Sequence, residues 1–311
     1  MTDLKAQDGS AASRLCFGCM QFGGTADASQ ARAMYDACRA AGVNFFDTAH
    51  MYTGGAAEEL LGGFIAGDQD QLIIATKTGY TGGSGRANIL AQFDESRARL
   101  KLDRVDMLYL HRWDEETPLE ESFETLCELQ QAGSVRYIGV SNFAAWQVMK
   151  AQAVAERLGT RIDILQPMYS LVKRQAEVEI FPMALSEGMA VASYSPLGGG
   201  LLTGKYQSGG TGRLSTDDRY AARYGLAWMH EAAVALTEMA GEKDVAPATL
   251  AVAWAAKNPA VTAPIISARS AEQLAPSLAA QTFALRDEEY ARIEAVSQRP
   301  APATDRLEEA Q

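Results

Sequence analysis

Residues 105–140 read VDMLYLHRWDEETPLEESFETLCELQQAGSVRYIGV, in the order strand, helix, strand. Val105–Leu110 and Val135–Val140 are short, nearly continuous apolar runs, the pattern of strands buried on both faces of a parallel sheet. Between them Thr117-Pro118-Leu119-Glu120 has capping-box spacing with proline at the first helical position, and Gly133 supplies the stop. The same unit recurs in both directions. Upstream runs surround Leu15–Phe17, Val43–Phe46 and Leu72–Ala75; downstream ones are Ile162–Leu165, Met189–Ala192 and Ala263–Ile266. Helical stretches separate them, such as amphipathic Ser29–Ala41, which stops at Gly42. Eight strand–helix units in about 270 residues predict an α/β chain folded as a (β/α)8 TIM barrel. The expectation is a single domain over residues 1–311 with polar tails at 1–11 and 300–311. One segment breaks the rhythm: Gly198–Gly225, after the seventh strand, is rich in Gly, Ser and Thr and reads as a long lid or binding loop.

The 311 residues carry 28 basic against 39 acidic side chains, a net charge of −11. A surface that acidic repels phosphate backbones and anionic headgroups, so neither nucleic acid nor a membrane is an expected partner. No apolar run approaches about 18 residues, and the polar start Met1–Ala11 lacks the apolar centre of a secretory signal. Four cysteines are too few for a disulfide scaffold. Cys38 shares an apolar stripe with Ala31, Met34 and Tyr35, and Cys127 neighbours Leu126 and Phe123, so both read as core. Cys16 and Cys19 form a CxxC with no second pair and no nearby His, so no metal site is expected. The expected compartment is the reducing cytoplasm.

Barrels of this kind collect their chemistry where strands end and loops begin. Phe46 leads to Asp47, Thr76 to Lys77, Leu110 to His111, and Val140 to Ser141 and Asn142. Leu165 leads to Gln166, Ser193 to Tyr194, and Ile266 to Ser267 and Arg269. Tyr52 adds a phenol five residues after Asp47. An acid, a lysine, a histidine, a phenol and an amide in one such series exceed what solubility requires.

The series resembles the aldo-keto reductase superfamily. The matching stretches are Asp47-Thr48-Ala49-His50-Met51-Tyr52, Thr76-Lys77, Leu110-His111 and Gly139-Val140-Ser141-Asn142-Phe143. Gln166-Pro167, Tyr194-Ser195-Pro196-Leu197-Gly198-Gly199-Gly200 and the Arg269 to Gln273 region complete them, so nearly the whole chain is covered in order. The resemblance implies an NADPH-dependent barrel that reduces aldehydes and ketones without a Rossmann domain. No GxGxxG occurs in the chain. Its one phosphate-loop spacing, Gly199 to Gly204-Lys205, continues with Tyr206 where a magnesium-binding Ser or Thr belongs.

Carbonyl reduction requires a hydride at carbon, which the cofactor supplies, and a proton at oxygen, which the protein supplies. The resemblance makes Tyr52 the acid. Lys77 is the cation expected to lower its pKa, Asp47 holds Lys77 charged, and His111 donates a hydrogen bond to the substrate oxygen. Taken singly, Asp47 also reads as a turn cap, Lys77 as a solvated loop lysine, His111 as a structural histidine and Tyr52 as a half-buried aromatic. By resemblance, Ser141, Asn142 and Gln166 hold the nicotinamide amide, Tyr194 stacks on the ring, and Ser195, Leu197, Gly198 and Gly200 approach the pyrophosphate. Ser267, Arg269 and Gln273 fall at the adenosine end, where Arg269 would grip a 2′-phosphate. Gln273 also has capping-box spacing from Ser270. Ser267 and Ser277 stand where the family commonly has Gly and Asn, so NADP(H) is expected and NAD(H) stays open. Met20, Met51, Tyr80, Trp113 and Met168 lie in the rim loops and suit a small carbonyl substrate. A cofactor-binding regulatory protein of the same superfamily is the second reading, and an aldolase using Lys77 as a Schiff base the third.

Overall fold

The computed structural model describes residues 2–309. Its strands are β1 (Cys16–Gly18), β2 (Phe45–Asp47), β3 (Ile73–Thr78), β4 (Val105–Leu110), β5 (Val135–Ser141), β6 (Ile164–Gln166), β7 (Ala190–Val191) and β8 (Ile265–Ile266). They form one parallel sheet in the order β7-β6-β5-β4-β3-β2-β1-β8. Each expected apolar run overlaps one of these strands. The two ends of the sheet meet: Thr262 N donates to Val191 O at 2.9 Å and Ile265 N to Ser193 O at 2.8 Å. The protein is thus an α/β fold with its sheet curled back on itself and its helices outside.

Side-chain parity sorts two cores. Cys16, Phe45, Ile73, Ala75, Met107, Tyr109, Ile164, Ala190 and Ile265 pack together inside the curl. The intervening residues, such as Phe17, Phe46, Ile74, Leu108 and Leu165, pack outward with the helices. Tyr109 fills much of the interior, and its register partner across the ladder is Gly139. A Cβ at Gly139 would collide with the Tyr109 ring, so only glycine fits there.

Three expectations change. Of the expected tail 1–11, residues 2–11 are tied down: Lys5 and Ala11 form an antiparallel bridge, and Leu4 and Ala6 are buried at the foot of the inner core. Two apolar side chains there stop the interior from opening to water. The segment 198–225 is not an unstructured loop but contains helical turns at Gly198–Thr203, Lys205–Ser208, Arg213–Thr216 and Asp218–Tyr224. Leu201, Leu202 and Tyr224 anchor it in the outer core. Finally, the helix Leu119–Gln131 starts without the expected capping box, with Pro118 at the N-cap. The Thr117 hydroxyl instead donates to Asp114 Oδ2 at 2.6 Å, and Glu120 pairs with Arg157. Of the expected tail 300–311, residues 300–309 end in a helical turn at Leu307–Glu309, and the last two residues lie outside the described ones. Among the described residues no helix is long and apolar enough to cross a membrane. Cys16, Cys19, Cys38 and Cys127 are buried and unpaired, and burial pushes the Cys16 and Cys19 thiols well up.

Candidate active site

Inward parity carries past the last core residue of each strand. Two residues beyond Phe45 is Asp47, beyond Ala75 is Lys77, and beyond Tyr109 is His111; beyond Gly139 comes Ser141, and beyond Ile164 comes Gln166. Because the strands are parallel, all of these arrive at one end of the sheet. Chain alternation alone therefore gathers residues scattered over about 120 positions.

At the centre Lys77 is buried, and its Nζ donates to Asp47 Oδ2 at 2.5 Å, to Thr48 O at 2.6 Å and to Tyr52 Oη at 3.4 Å. Burial favours the neutral amine, but Asp47 and then Tyr52 outweigh it, so the Lys77 pKa rises and the ammonium persists. The Tyr52 phenol behaves differently from the sequence-based expectation of a lowered pKa. Burial pushes it up more than Lys77 pulls it down, so the hydroxyl stays protonated at neutral pH. His111 is buried and edge-on to Tyr52, with ring centroids 5.6 Å apart, and edge-on to Tyr80 at 4.9 Å. Burial, then the positive charges of Lys77 and Arg112, lower its pKa to about 3, so a neutral imidazole stands beside the phenol. His111 Nδ1 is buried and has no partner among the described residues.

Ser141, Asn142, Gln166 and Tyr194 come together beside this group. Tyr194 Oη donates to Asn142 Oδ1 at 2.7 Å, and Asn142 Nδ2 donates to His111 O and Ser141 Oγ at 2.9 and 3.1 Å. Asn142 adopts φ 58°, which serves these contacts, and the next helix begins only at Ala145. Ser141 Oγ donates to Gln166 O at 3.0 Å. Gln166 Nε2 donates to Asp47 Oδ1 at 2.9 Å, so its amide fixes the carboxylate that holds Lys77. Nothing in the sequence reading assigned it that contact.

Ser195, Leu197, Gly198 and Gly200 form a tight turn with φ of 62° at Ser195, 56° at Gly198 and 97° at Gly200. Lys205, discounted from the sequence, stands beside this turn, with Nζ 3.4 Å from where a Gly200 Cβ would be. It forms no ion pair among the described residues. At the end of β8, Ser267 Oγ is buried and unpartnered, whereas Arg269 is exposed and unpaired among the described residues. Gln273 is exposed too; its backbone N–H is capped by Ser270 Oγ at 3.3 Å. Arg269 and Gln273 thus face solvent at a helix N-terminus, unlike the buried Asp47, Lys77 and His111. Of the rim residues, Met20, Met51 and Tyr80 are exposed, while Trp113 packs on Phe143 and Trp146, and Met168 accepts from Tyr224.

A model of the aldo/keto reductase family matches residues 14–298. The chain belongs to the aldo/keto reductase family. Among its relatives, the uncharacterized oxidoreductase YrpG of Bacillus subtilis is 35% identical over 90% of this chain and 90% of its own length. A probable voltage-gated potassium channel subunit beta of Oryza sativa is 34% identical over 94% of this chain and 95% of its own. Norsolorinic acid reductase stcV of Emericella nidulans is 34% identical over 91% of this chain and 77% of its own. Membership supports an oxidoreductase that uses a nicotinamide cofactor and a small-molecule carbonyl substrate.

Proposed function

We propose that this chain is an NADP(H)-dependent reductase of small aldehydes or ketones, active in the cytoplasm and working as one closed (β/α)8 barrel unit. The observation that carries the reading is the contact chain Asp47–Lys77–Tyr52 beside a neutral His111. A protonated phenol is the form a general acid needs before turnover, and Lys77 stabilises the phenolate left after the proton has gone. Neutral His111 can donate from one ring nitrogen to the substrate oxygen while Tyr52 Oη delivers its proton there.

The residues fit a nicotinamide dinucleotide. Ser141 Oγ and Asn142 Oδ1 each accept one hydrogen bond in this structure and can accept a second, as an amide N–H requires. The glycine turn at 198–200 with Lys205 beside it suits a pyrophosphate, and unpaired Arg269 suits a further phosphate. When bound, the cofactor supplies the hydride. Tyr52→Phe should keep NADPH affinity and lose about 10²-fold or more in turnover with small aldehydes. Wild-type turnover would remove Tyr52 from this role. The relatives named as channel subunits favour a second reading, a cofactor-binding regulatory protein with little turnover. A panel of aldehydes assayed by NADPH oxidation separates the two, since the second reading expects none to be reduced.

A further inference from the structure

The turn that carries Tyr52 is an unfavourable piece of backbone. Thr53, Gly54 and Gly55 follow it with φ of 49°, 65° and 101°. The two glycines take such angles freely, but the β-branched Thr53 does so at a cost in free energy and persists there only where the surroundings hold it. The Tyr52 Oη to Lys77 Nζ distance of 3.4 Å is already at the edge of hydrogen bonding, so a small drift of this turn would break it.

One side chain reaches the turn from outside the sheet. The guanidinium of Arg99, in the helix Arg86–Leu100, donates from Nη1 to His50 O at 3.1 Å and to Glu58 Oε2 at 3.2 Å. Its Nη2 donates to Glu95 Oε2 at 3.0 Å, and His50 Nε2 lies 2.8 Å from that same oxygen. Arg99 also lies under Gly55, where a Cβ would come within 2.6 Å of Cζ. Glu58 is completely buried, and its other oxygen accepts from Thr76 Oγ1 at 2.6 Å. Thr76 immediately precedes Lys77 in β3 and faces the opposite side of the strand. The clamp therefore ties the backbone of His50, two residues before the phenol, to the side chain of Thr76, one residue before the ammonium.

The geometry assigns Arg99 as a positioning residue for Tyr52, acting through His50, Glu95 and Glu58 to keep the phenol over Lys77. This rests on the reading of Tyr52 as the acid. A bland alternative is that Arg99 merely balances the buried charge of Glu58. Two variants divide these ideas. Arg99→Met removes the fork but strands the Glu58 carboxylate; Glu58→Gln/Arg99→Met removes the charge imbalance and still lacks the fork.

The expected result in the double variant is a folded protein whose kcat falls about 10- to 100-fold, with the Kd for NADPH changed by no more than about twofold. Its high-pH limb of kcat should move upward, because a phenol farther from Lys77 loses the cation's downward pull. Arg99→Lys keeps the charge without the planar fork and should recover turnover only in part. A folded double variant with wild-type kcat, a loss of NADPH affinity equal to the loss of kcat, or an unmoved alkaline limb would each overturn the assignment. If the double variant does not fold, Arg99→Lys decides alone, and full turnover there refutes the need for the fork. Tyr52→Phe in parallel keeps the two readings apart: wild-type turnover in that variant sinks the acid itself, whereas its inactivity beside unimpaired Arg99 variants sinks only the clamp.

Discussion

Asp47→Asn gives the most direct physical test of the buried pair. Lys77 has 1% of its surface exposed, and Asp47 is its carboxylate partner at 2.5 Å. Removing one charge of a buried pair strands the other, at a cost of about 3–5 kcal/mol when nothing relaxes. Loss of the Lys77 proton limits that cost, because burial then acts on its pKa unopposed by a carboxylate. Between pH 7 and 9 the two proteins should then differ in their response to pH. In the wild type the folded pKa lies above the ordinary amine value of 10.5, so the stability from Lys77 is fully present below 10.5 and is lost as pH rises through the folded value. Between pH 7 and 9 Lys77 is charged in both folded and unfolded chains and contributes no slope. In Asp47→Asn the unfolded chain binds a proton that the folded chain does not, so stability should rise by about 1.4 kcal/mol per pH unit relative to wild type. Urea unfolding of both proteins at pH 7, 8 and 9 reads this difference. Parallel pH dependences would mean that the ammonium survives without Asp47, and the account of the pair would fail.

Two further outcomes follow from the cofactor reading. Arg269→Ala should weaken NADPH by roughly 10- to 150-fold, the loss of one charge-assisted phosphate contact, and leave NADH nearly unchanged; equal losses in titrations of both cofactors would rule the contact out. Backbone exchange across residues 198–225 should slow when NADPH binds, most of all in the turns around Lys205 and Arg213, and hydrogen-exchange mass spectrometry with unchanged protection would count against a closing segment.

The parallel strands and the positions of Asp47, Lys77 and His111 were readable because such strands advertise themselves as apolar runs, and these three residues sit at or just beyond the ends of three of them. The same reading missed features that depend on residues far apart in the chain. Leu4 and Ala6 are lone apolar residues among polar ones and show no period, so their seat in the inner core left no local trace. Glu58 and Arg99 lie on different helices and are ordinary surface-type residues until the helices pack together. Thr117 had the spacing of a cap, but Asp114 competed for its hydroxyl and won. Gln166 was found at the correct strand end, yet its hydrogen bond to Asp47 crosses 119 residues and belongs to the curl of the sheet. The direction of the Tyr52 pKa shift failed for a related reason: neighbouring charge can be guessed from sequence, whereas the depth of burial cannot.

The pairing of β1 with both β2 and β8 also sets a timetable. Cys16 meets Ile265, which leaves the ribosome 249 residues later. At about 5–20 residues per second that interval lasts roughly 12 to 50 s. Until then one edge of the first strand offers open N–H and C=O groups, the kind of surface to which another nascent chain or a chaperone can add. Residues 2–5 wait as well, since the Thr2 N–H donates to the carbonyl of Gly188 and the Lys5 carbonyl accepts from the Arg136 guanidinium. Of the eight strands of this sheet β1 is made first and completed last, so its edge stays open longer than that of any other.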